Sequence, residues 1–263
     1  MNKKLTIHLV QWRVIPGDIE GNFHRAAQWI KSAAPDKGDL ILLPELFASG
    51  FYYTALGKMA EEYDSVLRWM GETAALYEAS VAGSAAVLRE DGIANTMILV
   101  DRTGGTVASY DKAHLFFAGD EDLHFIPGKE VVLASHEGVV AGLAICFDLR
   151  FPEMTRKLCD DGARIVLISA QWPRARVDHF RDFVRVRAME NQLFIAACNS
   201  CGDDDKGLAM GGNSLVIGPE GEVRGSLGEE EGVLSVTIDI DDVHRARDRF
   251  PVLKVRRGDL FGG

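Results

Sequence analysis

Short aliphatic runs alternate with amphipathic stretches along the chain. Leu5–Gln11 predicts a buried first strand, and Asp39–Leu43 (DLILL) has the unbroken apolar character of a strand covered on both faces. Between them, Asn22 is placed to cap a helix over Phe23–Ala34, with Phe23, Ala26, Ala27 and Ile30 on one stripe. Asp64 is placed to start a second helix reaching about Ala79, its stripe built from Val66, Leu67, Met70, Ala74 and Tyr77. Residues 80–88 and 93–101 read as strands joined by the turn Glu90-Asp91-Gly92, and Thr106–Tyr110 as another. A loop rich in aromatics runs on to Gly128. Val131–Ser135 and Val139–Ile145 form the next strand pair, and Pro152 suits the first turn of a helix reaching Asp160. Arg164–Ser169, Leu193–Cys198, Ser214–Ile217, Glu222–Ser226 and Val233–Ile238 complete the strands. Helices are expected over Val177–Asn191 and from about Asp241, and the tail Phe250–Gly263 has little periodicity. Hairpins among crossovers predict a mixed α/β domain with helices on the outer faces, in one sheet or two stacked sheets. No linker, repeat or low-complexity block divides residues 1–263, which read as a single domain.

At 263 residues, 47% apolar and 26% charged, the chain can bury a full core without a disulfide or metal staple. No apolar run approaches the ~18 residues of a membrane span. The basic start Met1-Asn2-Lys3-Lys4 leads into too short an apolar stretch for an export signal and reads as the approach to the first strand. A net charge of −10 argues against nucleic acid and anionic lipid as partners. Four cysteines (Cys146, Cys159, Cys198, Cys201) are too few for a disulfide framework, and a reducing cytoplasm is the simplest setting. Cys198-Asn199-Ser200-Cys201 is a C-x-x-C without a second ligand pair, so it reads as incidental, with a regulatory disulfide as the alternative.

Three side chains that can do chemistry follow apolar strands. Cys146 ends the run Leu143–Ile145 a few residues before a helix, where a strand-to-helix elbow exposes a nucleophile and the next N–H, of Phe147, can face an oxyanion. Against this stands the common buried cysteine that packs as a small hydrophobe. Glu45 follows DLILL at the strand edge where ligands of α/β sheets gather, or is a solvated turn carboxylate. Lys112 lies between a strand and Phe116-Phe117, able to stabilise an oxyanion, or is a snorkelling surface lysine. Glu121, nine residues on, can hold Lys112 or belong to the acidic run 120–122. His114 and His124 flank this loop, and a Cys–His pair is the less favoured arrangement. Base, cation and thiol together are the parts of an acyl-transfer site.

In these segments the chain resembles the carbon–nitrogen hydrolase, or nitrilase, superfamily. LLPELFASGF carries Glu45, YDKAHLF carries Lys112, and ICFDLRFPE carries Cys146. RAMENQLFIAACN (Arg187–Asn199) and GNSLVIGPEGEV (Gly212–Val223) extend the resemblance from Gln11-Trp12 to the last helix. The resemblance implies an α/β four-layer α-β-β-α sandwich with two mixed sheets, often paired as a homodimer. It also implies a Glu45–Lys112–Cys146 triad with Glu121 as second glutamate, and a thioester intermediate with no cofactor and no metal. PELFASGF, YDKAHLF and ISAQWPRAR most resemble the ω-amidase branch, which hydrolyses the distal amide of 2-oxoglutaramate or 2-oxosuccinamate. The branch usually has Asn where Gln171 stands, and His or Asp where Asn213 stands, and both departures bear on substrate choice. A substrate of that class needs a cation for its carboxylate, for which Arg150 and Arg176 are the candidates; Arg150 can equally pair with Asp148. Trp172, Phe116 and Phe51 are candidates for the pocket wall, or are core aromatics. The partner expected is therefore a small amide. The rival readings are a deaminated-glutathione amidase, an N-carbamoyl amidohydrolase or a nitrilase, a scaffold that only kept the fold, and a thiol–disulfide protein.

Overall fold

A computed structural model describes residues 3–203 and 207–261; Met1 and Asn2 at the basic start and the last two residues of the tail lie outside it. The strands are β1 (Lys4–Gln11), β2 (Leu40–Leu42), β3 (Ser80–Arg89), β4 (Gly92–Val100), β5 (Thr106–Asp111), β6 (Leu133–His136), β7 (Val139–Ile145), β8 (Ile165–Ala170), β9 (Phe194–Asn199), β10 (Cys201–Asp203), β11 (Ala209–Gly211), β12 (Leu215–Ile217), β13 (Val223–Ser226) and β14 (Gly232–Asp239). The helices are α1 (Ile19–Ala33), α2 (Leu56–Glu61), α3 (Tyr63–Tyr77), α4 (Glu121–His124), α5 (Pro152–Asp160), α6 (Val177–Asn191), α7 (Asp241–Arg249) and α8 (Gly258–Phe261). None of the described helices is long and apolar enough to cross a membrane.

Two six-stranded mixed sheets form, in the orders β14-β1-β2-β3-β4-β5 and β13-β12-β9-β8-β7-β6, with β10 and β11 as a separate pair. In each sheet two adjacent inner junctions are parallel (β1–β2 and β2–β3; β7–β8 and β8–β9) and the others antiparallel. The period-two alternation of the strands explains the stacking. Leu5, Ile7 and Leu9 of β1 and Leu40 and Leu42 of β2 share one buried cluster with β7 and β8. Ile41 and Leu43, pointing the other way, pack with Phe23, Ala26 and Ile30 of α1 and Val66, Met70 and Ala74 of α3. Met154 and Leu158 of α5 and Phe180 and Val184 of α6 cover the second sheet, giving the expected α-β-β-α layering.

The helix starts differ from the sequence reading. Asp18, not Asn22, caps α1, accepting from Gly21 N at 3.1 Å. Asn22 is a buried helical residue whose amide bonds Ile15 N, Ile15 O and Ala48 O, stapling the β1 exit to the segment after Glu45. Likewise α3 begins at Tyr63 with no side-chain cap, and α2 precedes it in a stretch that periodicity leaves blank. Two glycines permit close layers at the site. A Cβ on Gly83 would meet Phe47 Cδ1 at 2.9 Å, and one on Gly142 would meet Leu158 Cδ2 at 2.8 Å. The Glu45 turn therefore lies directly on β3, and α5 directly on β7.

Candidate active site

Because β2 and β5 both run parallel to β3, Glu45 and Lys112 leave the first sheet at the same edge. Cys146 leaves the second sheet from the end of β7. Cross-links bring the two edges together: Ser169 Oγ donates to Leu43 O at 2.9 Å and Glu45 N to Ala170 O at 3.3 Å. At the elbow Cys146 has φ 42°, a left-handed conformation that a non-glycine residue adopts only when its surroundings enforce it. Asp148 is the enforcing side chain. Its Oδ2 accepts from Ile145 N (2.9 Å) and Tyr110 Oη (2.7 Å), and its Oδ1 accepts from His114 N (3.0 Å) and Nδ1 (2.8 Å). Tyr110 and His114 lie two residues either side of Lys112, so one carboxylate ties the nucleophile arm to the lysine arm. Asp148 thus serves the elbow and does not pair with Arg150.

Lys112 is fully buried and its Nζ lies 2.7 Å from Glu45 Oε1, 2.8 Å from Glu121 Oε1 and 2.6 Å from Glu121 Oε2. Glu45 Oε2 accepts from Gln171 N at 3.0 Å, and the Cys146 thiol lies on the same cavity as the Glu45 carboxylate. Burial raises the Glu45 carboxyl above its ordinary value against the pull of the Lys112 charge. Burial pulls the Lys112 ammonium down, but the charges of Glu45 and Glu121 outweigh it, and the net shift is upward. Burial, then the Glu45 charge, pushes the Cys146 thiol well up. The site therefore sets a thiol that resists ionisation beside a buried carboxyl and an ammonium held between two glutamates.

All four of these groups line one cavity of about 380 Å³, with Phe51, Tyr52, Tyr53, Phe116, Leu208 and Met210 among its walls. The carbon–nitrogen hydrolase family profile matches residues 6–248. The chain belongs to the carbon–nitrogen hydrolase family. The 2-oxoglutaramate amidase of Bacillus subtilis (strain 168) is 36% identical over 98% of this chain and 100% of its own. The crystal structure of XC1258 from Xanthomonas campestris, a CN-hydrolase superfamily protein with an arsenic adduct in the active site, superposes with a TM-score of 0.90 at 31% identity, covering 96% of this chain and 97% of that one. A glutamate-to-glutamine mutant of the amidase from Nesterenkonia sp. AN1, with the acetamide moiety of fluoroacetamide added covalently at its active-site cysteine, matches with a TM-score of 0.84 at 28% identity, over 98% and 95% of the two chains. This carbon–nitrogen hydrolase is accordingly a cysteine-dependent amidase.

Of the wall and anion candidates in this hydrolase, Phe116 and Phe51 line the cavity. Phe147, Arg150, Trp172 and Arg176 form a cluster beside it. Phe147 packs on Phe116 with ring centroids 5.1 Å apart. The Arg150 guanidinium lies 5.8, 5.0 and 5.2 Å from the ring centroids of Phe147, Trp172 and Phe183. Burial first, and the neighbouring Arg176 charge second, lower its pKa. Trp172 is buried and donates from Nε1 to Arg176 O at 2.8 Å. His114 binds Asp148 and His124 stacks on Tyr53, so both flanking imidazoles are engaged elsewhere and neither lines the cavity with Cys146. Cys198 and Cys201 are free and buried; Cys198 donates to Val10 O. No metal-holding cluster of His, Cys, Asp and Glu occurs among the described residues. The sequence pattern singles out neither Asn95 nor the role of Asp148. The one signal for Asn95 is a lone amide in the apolar strand ANTMILV (Ala94–Val100).

Proposed function

We propose that this amidase removes the distal amide nitrogen of a short 2-oxo-acid ω-amide, 2-oxoglutaramate or 2-oxosuccinamate, through a thioester on Cys146. The observation that carries the reading is the convergence of Cys146, Glu45 and Lys112 on one cavity from three strand ends. Glu45 takes the thiol proton as Sγ attacks the amide carbon, and the carbonyl electron pair moves to oxygen. The Lys112 ammonium and the Phe147 N–H, in the first turn of the 3₁₀ helix Cys146–Arg150, stabilise that oxyanion. A preorganised donor of this kind is worth about 3 kcal/mol. Collapse of the intermediate breaks the C–N bond while Glu45 returns its proton to nitrogen, and ammonia leaves. Water, deprotonated by Glu45, then attacks the thioester. The second collapse expels the thiolate, which is reprotonated, and a carboxylate product departs. Glu121 holds Lys112 through both steps.

The substrate's own carboxylate lies toward Arg150 and Arg176. Among the described residues neither guanidinium pairs with a carboxylate, and aromatic rings surround Arg150 on several sides. The 36%-identical 2-oxoglutaramate amidase supports the same substrate class. We further place the enzyme in the cytoplasm as a homodimer. Its four free thiols suit the first, and the exposed Val186 and Met189 of α6 suit the second. Ammonia release from 2-oxoglutaramate, compared with a nitrile, an N-carbamoyl amino acid and a neutral aliphatic amide, tests the substrate. Mass spectrometry of an acyl adduct on Cys146, absent in Cys146→Ala, tests the chemistry. Full amide hydrolysis by Cys146→Ala overturns the scheme.

A further inference from the structure

Asn95 of β4 is fully buried and lies directly behind the two carboxylates. Its Nδ2 donates to Glu45 Oε1 at 2.9 Å and to Glu121 Oε1 at 3.1 Å, which uses both amide protons. Its backbone carbonyl accepts from Lys112 N at 2.9 Å, so the same residue also fixes where the lysine leaves β5. Its Oδ1 is buried with no partner. An orphaned buried acceptor costs stability, and a strand in a stacked sheet has no packing need for it. A leucine has the same branching and leaves no stranded oxygen.

The arrangement gives two carboxylates that share one ammonium a further donor each. Glu45, Glu121 and Lys112 sum to one negative charge in a dry site. The amide supplies two further N–H dipoles, one to each carboxylate, at the oxygens that also face Lys112. Glu45 Oε1 is thereby committed to Lys112 and Asn95. That leaves Oε2, held by the Gln171 N–H, as the oxygen that takes and returns the proton. We propose that Asn95 is a positioning residue of the reaction: it keeps Glu45 ionised at rest and assigns the proton traffic to Oε2. The proposal rests on the reading of Glu45, Lys112 and Cys146 as the reacting groups.

The charged and titratable groups facing Glu45 are Lys112 at the end of β5, Glu121 of α4, Cys146 at the elbow and Tyr53 from the turn before α2. None of them replaces the lost N–H groups if Asn95 is removed. The test is the pH dependence of kcat/KM for 2-oxoglutaramate, with the rate of Cys146 alkylation by iodoacetamide as a second readout independent of that substrate. Asn95→Leu is expected to lower kcat about 10²-fold with KM little changed, as a displaced base does. The acid limb moves up by about one pH unit, because an ionised Glu45 has lost a donor. Asn95→Asp, adding a third carboxylate, loses more than Asn95→Leu. Asn95→Ser, which keeps one donor, falls between wild type and Asn95→Leu, and it carries the test if the Leu variant does not fold. An acid limb that stays in place in both Asn95→Leu and Asn95→Ser overturns the proposal, whatever happens to thermal stability. Glu45→Gln and Cys146→Ala separate the two readings. If either stays active, the triad reading fails. If both are inactive while Asn95→Leu keeps wild-type kcat and pH profile, only the role of Asn95 fails.

Discussion

Replacing Asp148 by alanine tests whether one buried carboxylate holds the nucleophile arm to the lysine arm. The side chain is fully buried and accepts four hydrogen bonds, from Ile145 N, Tyr110 Oη, His114 N and His114 Nδ1. Of these donors, Ile145 and Tyr110 belong to fully buried residues that water does not reach, whereas the His114 side chain is one-third exposed and can rehydrate. Leaving a buried donor unpaired costs about 1–3 kcal/mol, so Asp148→Ala is expected to lose roughly 2–6 kcal/mol from the two dry donors. In a chain of this length each kcal/mol moves Tm by about 2–4 °C, which makes a fall on the order of 4–24 °C. Asp148→Asn keeps an acceptor for the dry pair but turns its NH2 toward the His114 N–H, which loses its acceptor. Its loss is expected at about 1–2 kcal/mol. Activity is the more specific readout. The Cys146 elbow, at φ 42°, loses its brace, and a displacement near 1 Å costs about 10²-fold in kcat. Scanning fluorimetry and steady-state ammonia release on the two variants supply both numbers. If Asp148→Ala melts within 2 °C of wild type (~1 kcal/mol) and keeps its kcat, the brace is not there.

Three further outcomes follow from the same structure. Because burial raises Glu45, the acid limb of kcat/KM is expected above the ordinary 4.5; because the Cys146 thiol is raised well past 9.0, no loss from thiol ionisation is expected up to that pH, and a limb at or below 4.5 contradicts this. Burial lowers the His136 imidazole below 6.5, against Glu137 and Asp39, with Lys3 adding to the fall. Above 6.5 both folded and unfolded chains carry it neutral and the stability is complete; as pH falls below 6.5 the unfolded chain binds a proton that the fold resists, and stability drops. His136→Gln, which can still bond Ser80, is expected to show a smaller loss of urea midpoint from about pH 7.5 to about 5.5 (a span set about the ordinary value), and an equal loss in both proteins excludes His136 as a source. Arg150→Met is expected to raise KM for 2-oxoglutaramate about 10- to 100-fold, the worth of a charged hydrogen bond, while leaving a neutral amide unaffected; equal losses on both substrates exclude a carboxylate contact.

Strands were readable in the chain because a buried strand needs an unbroken aliphatic run, and DLILL, RIVLIS and VVAGLAI can be little else; the division into two stacked sheets was not, because periodicity fits one sheet as well as two. The helix Val177–Asn191 and the helix opening at Pro152 also lie where the pattern puts them. Glu45, Lys112 and Cys146 stand out because each reactive side chain follows an apolar strand, and strand ends are where a sheet exposes its residues. The start of α1 misled because Asn and Asp cap equally well, and only the folded chain shows that Asn22 is spent on Ile15 and Ala48. Asn95 and Asp148 were silent for a related reason. Their hydrogen bonds reach 26 to 50 residues along the chain: those of Asn95 need the first sheet assembled, and those of Asp148 to Tyr110 and His114 need the two sheets stacked. The order of elements and the identity of the reactive atoms are thus properties of the linear chain, since local polarity sets them. The separation between those atoms, the orientation of the thiol and the sharing of one ammonium by two carboxylates belong to the packed structure, because each depends on distances between segments that no local pattern encodes.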